Sequence, residues 1–186
     1  MKLSAFLGSP RADGNTDIIT SHVIEGAGEV GTDCLSFALR SLKIHPCIGC
    51  ERCWERDRPC IFDDGTTALY RAISESDVLV FATPVYWYGP TATMKAFIDR
   101  LVVFNRPQGR PLIQDKGAIL VMAYEEEGPA AAEPLIKMFR MSFDYLGLRL
   151  IDQIVVDGVG PKGAVLLRPD ALRRAHDVGR SLTQQQ

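Results

Sequence analysis

The sequence lacks several features by which whole classes of protein are recognised. Its 186 residues contain no apolar run close to the roughly 18 residues that a membrane-spanning helix needs, so we expect no membrane insertion. The 21 Lys and Arg are matched by 23 Asp and Glu and form no basic block, which argues against a nucleic-acid surface. The N-terminal MKLSAFLGSPR is too briefly apolar for a signal peptide, and we therefore expect a cytoplasmic protein.

Two common phosphate-binding motifs are also missing. There is no Gly-Lys-Ser/Thr of a P-loop, and no GxGxxG follows the first apolar segment, which disfavours a Rossmann dinucleotide site. The segment from Cys34 to Arg40 does spell C-x5-R, the spacing of a phosphatase loop. Its intervening residues, LSFAL, read as a strand interior, and we therefore interpret Cys34 as a core residue.

Strand-like and helix-like segments alternate along the chain. The continuous apolar run DVLVFATP is typical of a central parallel strand that is covered on both faces. The alternation predicts one domain over residues 1–186, an α/β fold with a doubly wound, five-stranded parallel sheet and helices on both faces. The predicted strands span 3–8, 33–39, 77–84, 117–123 and 148–158, and the helices span 15–28, 90–104, 130–145 and 169–183, with another beginning near Asp63.

The loop after the first strand is the first candidate site, because ligands of such sheets bind beyond the carboxyl ends of the strands. It reads GSPRADGNT and precedes a helix whose free N–H groups and dipole favour an anion. A glycine here allows close backbone approach, and an arginine can add a charge-assisted contact. The alternative is an ordinary helix cap. The predicted phosphate-binding residues are Ser9, Arg11, Gly14, Asn15 and Thr16.

The loop after the third strand carries three consecutive aromatic residues, in the segment TPVYWYGP. Aromatic rings at this edge of a sheet can stack beside a flat heterocycle. A hydrophobic plug or a subunit interface is the alternative, since aromatic residues are enriched there as well. Together with the phosphate loop, the segment predicts a mononucleotide with an aromatic ring system. The predicted ring-binding residues are Tyr86, Trp87 and Tyr88, with Gly89 allowing close backbone approach.

Four motifs occur in an order and spacing that resembles the NADPH-dependent FMN reductases of flavodoxin-like fold, and most of all their iron–sulfur flavoprotein branch: LGSPRADGNT, CIGCERC, IFDDG and TPVYWYGPTATMKAFIDR. The resemblance covers residues 3–125. It implies non-covalent FMN, with its phosphate held by Ser9, Arg11, Asn15 and Thr16. Pro84, Val85 and the aromatic turn up to Gly89 would line its ring system, and the loop from Ala123 to Gly128 would close the site. It also implies NAD(P)H as the electron donor and a homodimer or homotetramer.

The function that this resemblance implies is an oxidoreductase that takes hydride from NAD(P)H and reduces a second acceptor. The partner would be a small-molecule acceptor (a quinone, a flavin, a nitro or azo compound) or a redox protein or iron–sulfur centre. No catalytic side chain is expected, because the flavin carries the chemistry. One alternative is a flavodoxin-like or iron–sulfur flavoprotein electron carrier without a substrate of its own. Another is a flavin-free binding protein that has kept the fold.

The cysteine-rich loop at 45–62 holds four of the five cysteines, with the spacing C-x2-C-x2-C-x6-C. A 4Fe–4S cluster needs four closely placed thiolates, which Cys47, Cys50, Cys53 and Cys60 could supply. Zinc is less favoured, because its four-cysteine sites usually combine two separate C-x2-C pairs. A stable disulfide is not expected in the cytoplasm. The sequence leaves a cluster and four free thiols as equal alternatives.

Charged residues close to these motifs are assigned structural roles. Lys95, Asp99 and Arg100 lie on the helix that follows the aromatic loop, and we expect them to form ion pairs rather than to act in catalysis. The acidic run Glu125 to Glu127 follows the fourth strand. We interpret this run as a solvated face without a functional role.

Overall fold

The computed structural model describes residues 1–55 and 60–184; part of the predicted cysteine-rich loop, 56–59, and the last two residues of the predicted domain lie outside this description. Its sheet has five strands: β1 (Lys2–Leu7), β2 (Asp33–Ala38), β3 (Val78–Pro84), β4 (Gly117–Ala123) and β5 (Arg149–Val156). All neighbouring strands pair in parallel, in the order β2-β1-β3-β4-β5. This order is that of flavodoxin and confirms the predicted fold class.

The helices that the sequence predicts lie close to their predicted positions, with differences at their ends, and a one-turn helix at Arg52–Glu55 was not predicted. The helix predicted over 90–104 stops at Arg100 and continues as a 3-10 segment, Leu101–Asn105. The helix predicted from residue 130 begins later, because Pro129–Ala131 forms a separate 3-10 turn. The α-helices are α1 (Asn15–Glu29), α2 (Arg52–Glu55), α3 (Thr66–Glu75), α4 (Ala92–Arg100), α5 (Glu133–Leu146) and α6 (Pro169–Arg180).

Two apolar cores cover the two faces of the sheet, because successive strand residues point to opposite sides. One core packs α1 and α6 against one face, where Val80 and Val121 meet Ile19 and Val178. The other packs α3, α4 and α5 against the opposite face through a set of aromatic side chains that includes Phe6, Phe81, Phe97, Phe139 and Phe143. Strands β3 and β4 are buried almost throughout, as their continuous apolar sequences predict.

Helix α1 is held in place by very close packing against α6. A Cβ atom at Gly26 would lie 2.1 Å from the carbonyl oxygen of His176, and one at Gly179 would lie 2.1 Å from that of Val23. Only glycine fits at these two positions, because the two helix backbones touch there. This contact fixes the position of α1 and therefore of its N-terminus at the edge of the sheet.

Strand β2 lies at the edge of the sheet, and this changes the interpretation of Cys34. The residue is half-buried and packs against the margin of the α1–α6 core rather than inside it, since an edge strand is covered less completely than a central one. The C-x5-R segment runs through β2 into a 3-10 turn, Leu39–Ser41. As predicted, this segment is largely a strand and does not form a phosphate-cradling loop.

A buried arginine joins α4 to both ends of the cysteine-rich loop. Arg100 is 1% exposed and pairs with Asp64 across 3.0 Å. Its guanidinium also donates to the carbonyl of His45 at 2.8 Å, to Thr66 Oγ1 at 2.7 Å and to the Tyr70 hydroxyl at 3.2 Å. Residue 45 precedes the four cysteines and residue 64 follows them, so this network closes the base of the loop. The predicted structural ion pairs are therefore present, with Asp64 as the partner of Arg100.

The second predicted pair on α4 is of a different kind. Lys95 and Asp99 lie four residues apart on the same helix face, with 2.6 Å between Nζ and Oδ1, and both side chains are about half exposed. An exposed pair of this type contributes little to stability. No helix within the described residues is long and apolar enough to span a membrane.

Replacing Asp64 by Asn should destabilise the protein strongly, because Arg100 then keeps a buried positive charge without its counterion. We expect the free energy of unfolding at pH 7 to fall by about 3 kcal/mol, the range measured when one partner of a buried pair is removed. The matched control is Asp99→Asn on α4, which should change it by less than about 0.5 kcal/mol. Urea unfolding of the three proteins measures both. Equal losses for the two variants would contradict the assignment of Arg100 and Asp64 as a buried pair.

The same pair predicts an acid sensitivity. Burial of Asp64 acts to raise its pKa, but hydrogen bonds from Thr66, the His45 N–H and Arg100 outweigh burial and hold the pKa well below its usual range. A carboxylate with a depressed folded-state pKa adds stability above its unfolded pKa, about 3.9, and this stability is lost as the pH falls below that value. We expect unfolding free energy to fall more steeply below about pH 4 in the wild type than in Asp64→Asn. Parallel pH profiles for the two proteins would contradict this account.

Candidate functional site

The loop between β1 and α1 ends in an uncapped helix N-terminus. Gly14 is the N-cap of α1 and supplies no side-chain hydrogen bond, so the first N–H groups have no partner within the helix. Thr16, in the first turn, is 2% exposed, and its Oγ1 has no hydrogen-bond partner among the described residues. A buried hydroxyl left unpaired is costly. The arrangement favours an anion that would accept hydrogen bonds from the Thr16 hydroxyl and the first N–H groups of α1.

The space above α1 depends on the absence of a side chain at Gly14. A Cβ atom there would lie 2.9 Å from Ser9 Oγ and 3.1 Å from the carbonyl oxygen of Arg11. The φ angle of Gly14 is an ordinary −72°, so space rather than conformation requires glycine. Ser9 is buried; its hydroxyl donates to the Arg11 carbonyl at 3.1 Å and accepts the Arg11 N–H at 3.2 Å. The turn therefore folds back on itself and leaves a cradle.

Two of the predicted phosphate-binding side chains make other contacts. The amide of Asn15 donates to the carbonyls of Val159 and Pro161 at 2.6 and 2.9 Å, and its Oδ1 accepts the Val165 N–H at 3.2 Å. Arg11 donates to the carbonyl of Gly160 at 3.2 Å. Both side chains thus attach the loop after β5 to the loop after β1. For Asn15 this leaves the backbone N–H, rather than the amide, to face an anion.

The aromatic segment after β3 is a tight turn in an uncommon conformation. Tyr86 and Gly89 exchange two backbone hydrogen bonds, at 2.8 and 2.9 Å, around Trp87 and Tyr88. These two central residues have φ angles of +48° and +61°, in the left-handed region that disfavours side chains with a Cβ. The Trp87 side chain is 95% exposed. Strain of this kind is typical of functional loops, where a side chain is needed despite its conformational cost.

The other walls come from the loops after β4 and β5, which are bonded to each other. The Val159 N–H donates to the Tyr124 carbonyl at 2.8 Å. The Gly128 N–H donates to Asp157 Oδ2 at 2.8 Å, and this bond is the main reason why the pKa of Asp157 is lowered. Arg168 donates to the Asp157 carbonyl at 2.9 Å. The two loops therefore form one connected wall.

These four loops enclose a cleft of about 410 Å³ at the carboxyl edge of the sheet. The predicted phosphate-binding residues all line it, and so do the predicted ring-binding residues apart from Gly89, which closes the aromatic turn. The loop from Ala123 also lines the cleft, as the resemblance implied. The lining residues that sequence reasoning missed are Ala131, Val159, Gly160 and Lys162.

The missed wall after β5 left a signal in the sequence. The segment DGVGPKG, residues 157–163, has the glycine and proline content of a loop directly after a strand.

The interpretation of the acidic run after β4 as a solvated face without a role also needs correction. Glu125 and Glu126 are exposed, as expected of a solvated face, yet both line the cleft, and Glu125 packs where a Cβ on Gly160 would lie. The cleft therefore has an acidic rim.

The four clustered cysteines line a second, small and mostly apolar cavity of about 80 Å³ beside Arg100. Cys47 and Cys50 are exposed, and Cys53 and Cys60 are half-buried. Burial raises the pKa of the Cys53 thiol, and the three neighbouring thiols raise it further. Within the described residues, no three His, Cys, Asp or Glu side chains are already arranged to hold a metal ion. The thiols thus converge on one place without forming a closed ligand set.

The sheet order and the cleft at its switch point define a flavodoxin-like α/β protein with its candidate ligand site beyond β1 and β3. The chain belongs to the NADPH-dependent FMN reductase family, whose family model matches residues 1–155. This confirms the resemblance seen in the sequence. The description of that family names FMN and NADPH.

Two relatives with different names match this chain over much of its length. An iron–sulfur flavoprotein of Archaeoglobus fulgidus is 34% identical over 125 residues, 66% of this chain and 55% of that protein. A Bacillus subtilis protein, provisionally named an NAD(P)H-dependent FMN-containing oxidoreductase, is 28% identical over 94% of both chains. The chain spans about half the length of the iron–sulfur flavoproteins that it matches, 55% and 51% for two of them.

Solved structures support the fold. The NAD(P)H:quinone oxidoreductase from Methanothermobacter marburgensis has a TM-score of 0.79 with 18% identity, over 98% of this chain and 96% of that one. An azoreductase from Bacillus anthracis has a TM-score of 0.76 with 18% identity, over 98% of this chain and 100% of that one. At this identity the likeness concerns the fold.

The strained turn gives a prediction about stability. Trp87→Gly should raise the free energy of unfolding by up to about 1 kcal/mol, because relief of a left-handed conformation outweighs the entropy that glycine adds to the unfolded chain. Tyr86→Gly is the matched control: the φ angle of Tyr86 is not positive, so this variant should lose about 0.5–1 kcal/mol. Thermal or urea unfolding of both variants measures the difference. Equal destabilisation by the two substitutions would contradict a strained turn.

Proposed function

We propose that the cleft binds FMN, with the phosphate at the β1–α1 loop and the ring system along the Pro84–Gly89 loop. The observation that carries this proposal is Thr16, a buried hydroxyl without a partner among the described residues, at a helix N-terminus that lacks a cap. A phosphate monoester offers acceptors for such donors. Gly14 keeps the required space free, and Ser9 and Arg11 shape the turn around it.

The aromatic turn and the walls after β4 and β5 suit a flat, partly polar ring system. Pro84, Val85 and Tyr86 line the cleft on one side, and Tyr124 lines it from the loop after β4. When bound, FMN would supply the redox chemistry, accepting electrons from a reduced nicotinamide and giving them to a second acceptor. The side chains of this protein would bind and orient the ring, with Trp87 at the exposed margin of the cleft.

The second acceptor is proposed as a small molecule. Trp87 lines the cleft and is 95% exposed, so a flat quinone, flavin, nitro or azo compound could approach past it without displacing a buried element. Relatives named as FMN-dependent NADH:quinone oxidoreductases agree with this class of acceptor. The alternative is an electron carrier without its own substrate, which NAD(P)H would not reduce at a useful rate. A homodimer or homotetramer and a cytoplasmic location stay predictions.

Thr16→Val tests the FMN site directly. Valine has nearly the same shape and removes the unpaired hydroxyl, so the free energy of unfolding of the apoprotein should stay equal or rise. FMN affinity should fall about tenfold, because one phosphate contact is lost. Fluorescence titration of apoprotein with FMN measures the affinity. Thr20→Val, on the next turn of α1, is the control: Thr20 Oγ1 already donates to the Thr16 carbonyl at 2.7 Å, so FMN affinity should not change. Unchanged affinity in Thr16→Val would contradict the phosphate site.

We further propose that Cys47, Cys50, Cys53 and Cys60 are the ligands of a 4Fe–4S cluster. The four thiols line one cavity with few polar surfaces, which suits the donor set of a cubane cluster. The contacts of Arg100 with Asp64 and with the His45 carbonyl fix both ends of the loop. Only the segment between these ends would have to rearrange for the four thiols to reach a cluster. The relatives named iron–sulfur flavoproteins agree with this assignment. Four free thiols are the alternative.

The absorption spectrum of protein purified without oxygen separates these alternatives. We expect flavin bands over a broad background that dithionite bleaches, with about four irons per chain. Cys53→Ser should lose the background and the iron but keep the flavin. Cys34→Ser, which removes the cysteine outside the loop, should keep the flavin, the iron and the broad background. Flavin bands alone in the wild type would contradict a cluster and make the loop a structural feature of an NAD(P)H reductase.

A further inference from the structure

A second arginine, from the segment that resembled a phosphatase motif, reaches the proposed phosphate loop. Arg40 lies in the 3-10 turn after β2, and its NH1 is 2.9 Å from Asp17 Oδ2 in the first turn of α1. The same nitrogen donates to the carbonyl of Ser9 at 3.4 Å. One guanidinium therefore contacts both ends of the loop that forms the cradle, Ser9 at its start and Asp17 directly after Thr16.

The position of Asp17 raises an electrostatic problem for an anion site. It is the third residue of α1, where the helix dipole stabilises a carboxylate and where a bound phosphate would use the same field. The Asp17 side chain is only 10% exposed, so water screens its charge weakly. Its second oxygen, Oδ1, is buried and has no hydrogen-bond partner among the described residues. An unpaired carboxylate here would repel the phosphate.

Arg40 resolves this conflict through its ion pair. Burial raises the pKa of Asp17, and the charge of Arg40 is the largest influence in the opposite direction. With Arg40 in place, the pair is close to neutral and the helix N-terminus keeps its net attraction for an anion. The hydrogen bond to the Ser9 carbonyl also orients the first turn of the loop.

We propose that Arg40 is a positioning residue for the FMN phosphate: by pairing with Asp17 it neutralises a carboxylate that directly follows the cleft residue Thr16, and it holds the loop between Ser9 and α1. This inference rests on the proposed FMN site. It gives Arg40, the last residue of the C-x5-R segment, a role in binding a cofactor phosphate that is unrelated to phosphatase catalysis. The role concerns the phosphate, so it should be visible with FMN and absent with riboflavin, which has the same ring system without the phosphate.

The test compares the dissociation constants of FMN and riboflavin for the apoproteins of the wild type and three variants. In Arg40→Met the carboxylate of Asp17 loses its partner, and FMN binding should weaken about tenfold while riboflavin binding stays within about twofold. In Asp17→Asn the charge of Arg40 is released, and FMN binding should tighten severalfold. The double variant should bind FMN within about threefold of the wild type, because both charges are gone.

The outcomes distinguish failure of the proposed phosphate site from failure of the proposed role of Arg40. If the wild type binds FMN no better than riboflavin, the proposed phosphate site fails and this inference fails with it. If the wild type prefers FMN but Arg40→Met keeps the same preference, only the role of Arg40 is overturned. Equal weakening of both ligands, or a double variant as weak as Arg40→Met, would show a merely structural role and would also overturn it. If Arg40→Met does not fold, Asp17→Asn decides: an unchanged ratio of FMN to riboflavin affinity contradicts the inference.

Discussion

Parallel pairing of all five strands is the constraint on which the rest of this structure depends. Because the strands point the same way, the loops after β1, β3, β4 and β5 leave the sheet at one edge. Helix α1 begins at that edge, close to the reversal of strand order, with N–H groups that no side chain caps. The cradle of the β1–α1 loop, an aromatic turn and a connected outer wall therefore meet around one cleft.

Three Arg–Asp pairs fix the segments that surround this edge. Arg40 and Asp17 hold the loop after β1, Arg100 and Asp64 close the base of the cysteine-rich loop, and Arg168 and Asp157 anchor the wall after β5. The pairs differ in burial, and with it in what they contribute. The Arg100 pair is almost fully buried, so loss of either partner would leave an uncompensated charge in the interior. The more exposed pair at Asp157 orients backbone groups, and the Asp17 pair sets the charge beside the proposed phosphate.

The sequence allowed the central strands and most of the proposed site to be predicted, because both leave local signals. A parallel strand buried on both faces is a continuous apolar run, and β3 and β4 were found in this way. The loops after β1 and β3 show their chemistry in glycine, hydroxyl and aromatic residues. The ends of α4 and α5 were missed, since 3-10 turns continue the same apolar spacing. The wall after β5 was missed because it carries few side chains of recognisable chemistry.

The sequence by itself determined the class of fold, the family and two of the four loops around the cleft, because short motifs carry the spacing and chemistry of each. Only the tertiary structure decided which partners these residues have. Asn15 binds the loop after β5 rather than pointing its amide into the cradle, and Arg100 pairs with Asp64 from before α3 rather than with a neighbour on its own helix. Glu125 and Glu126 line the cleft although they are exposed. Such contacts join residues far apart in sequence, so their geometry follows from the packing of helices on the sheet and not from local pattern.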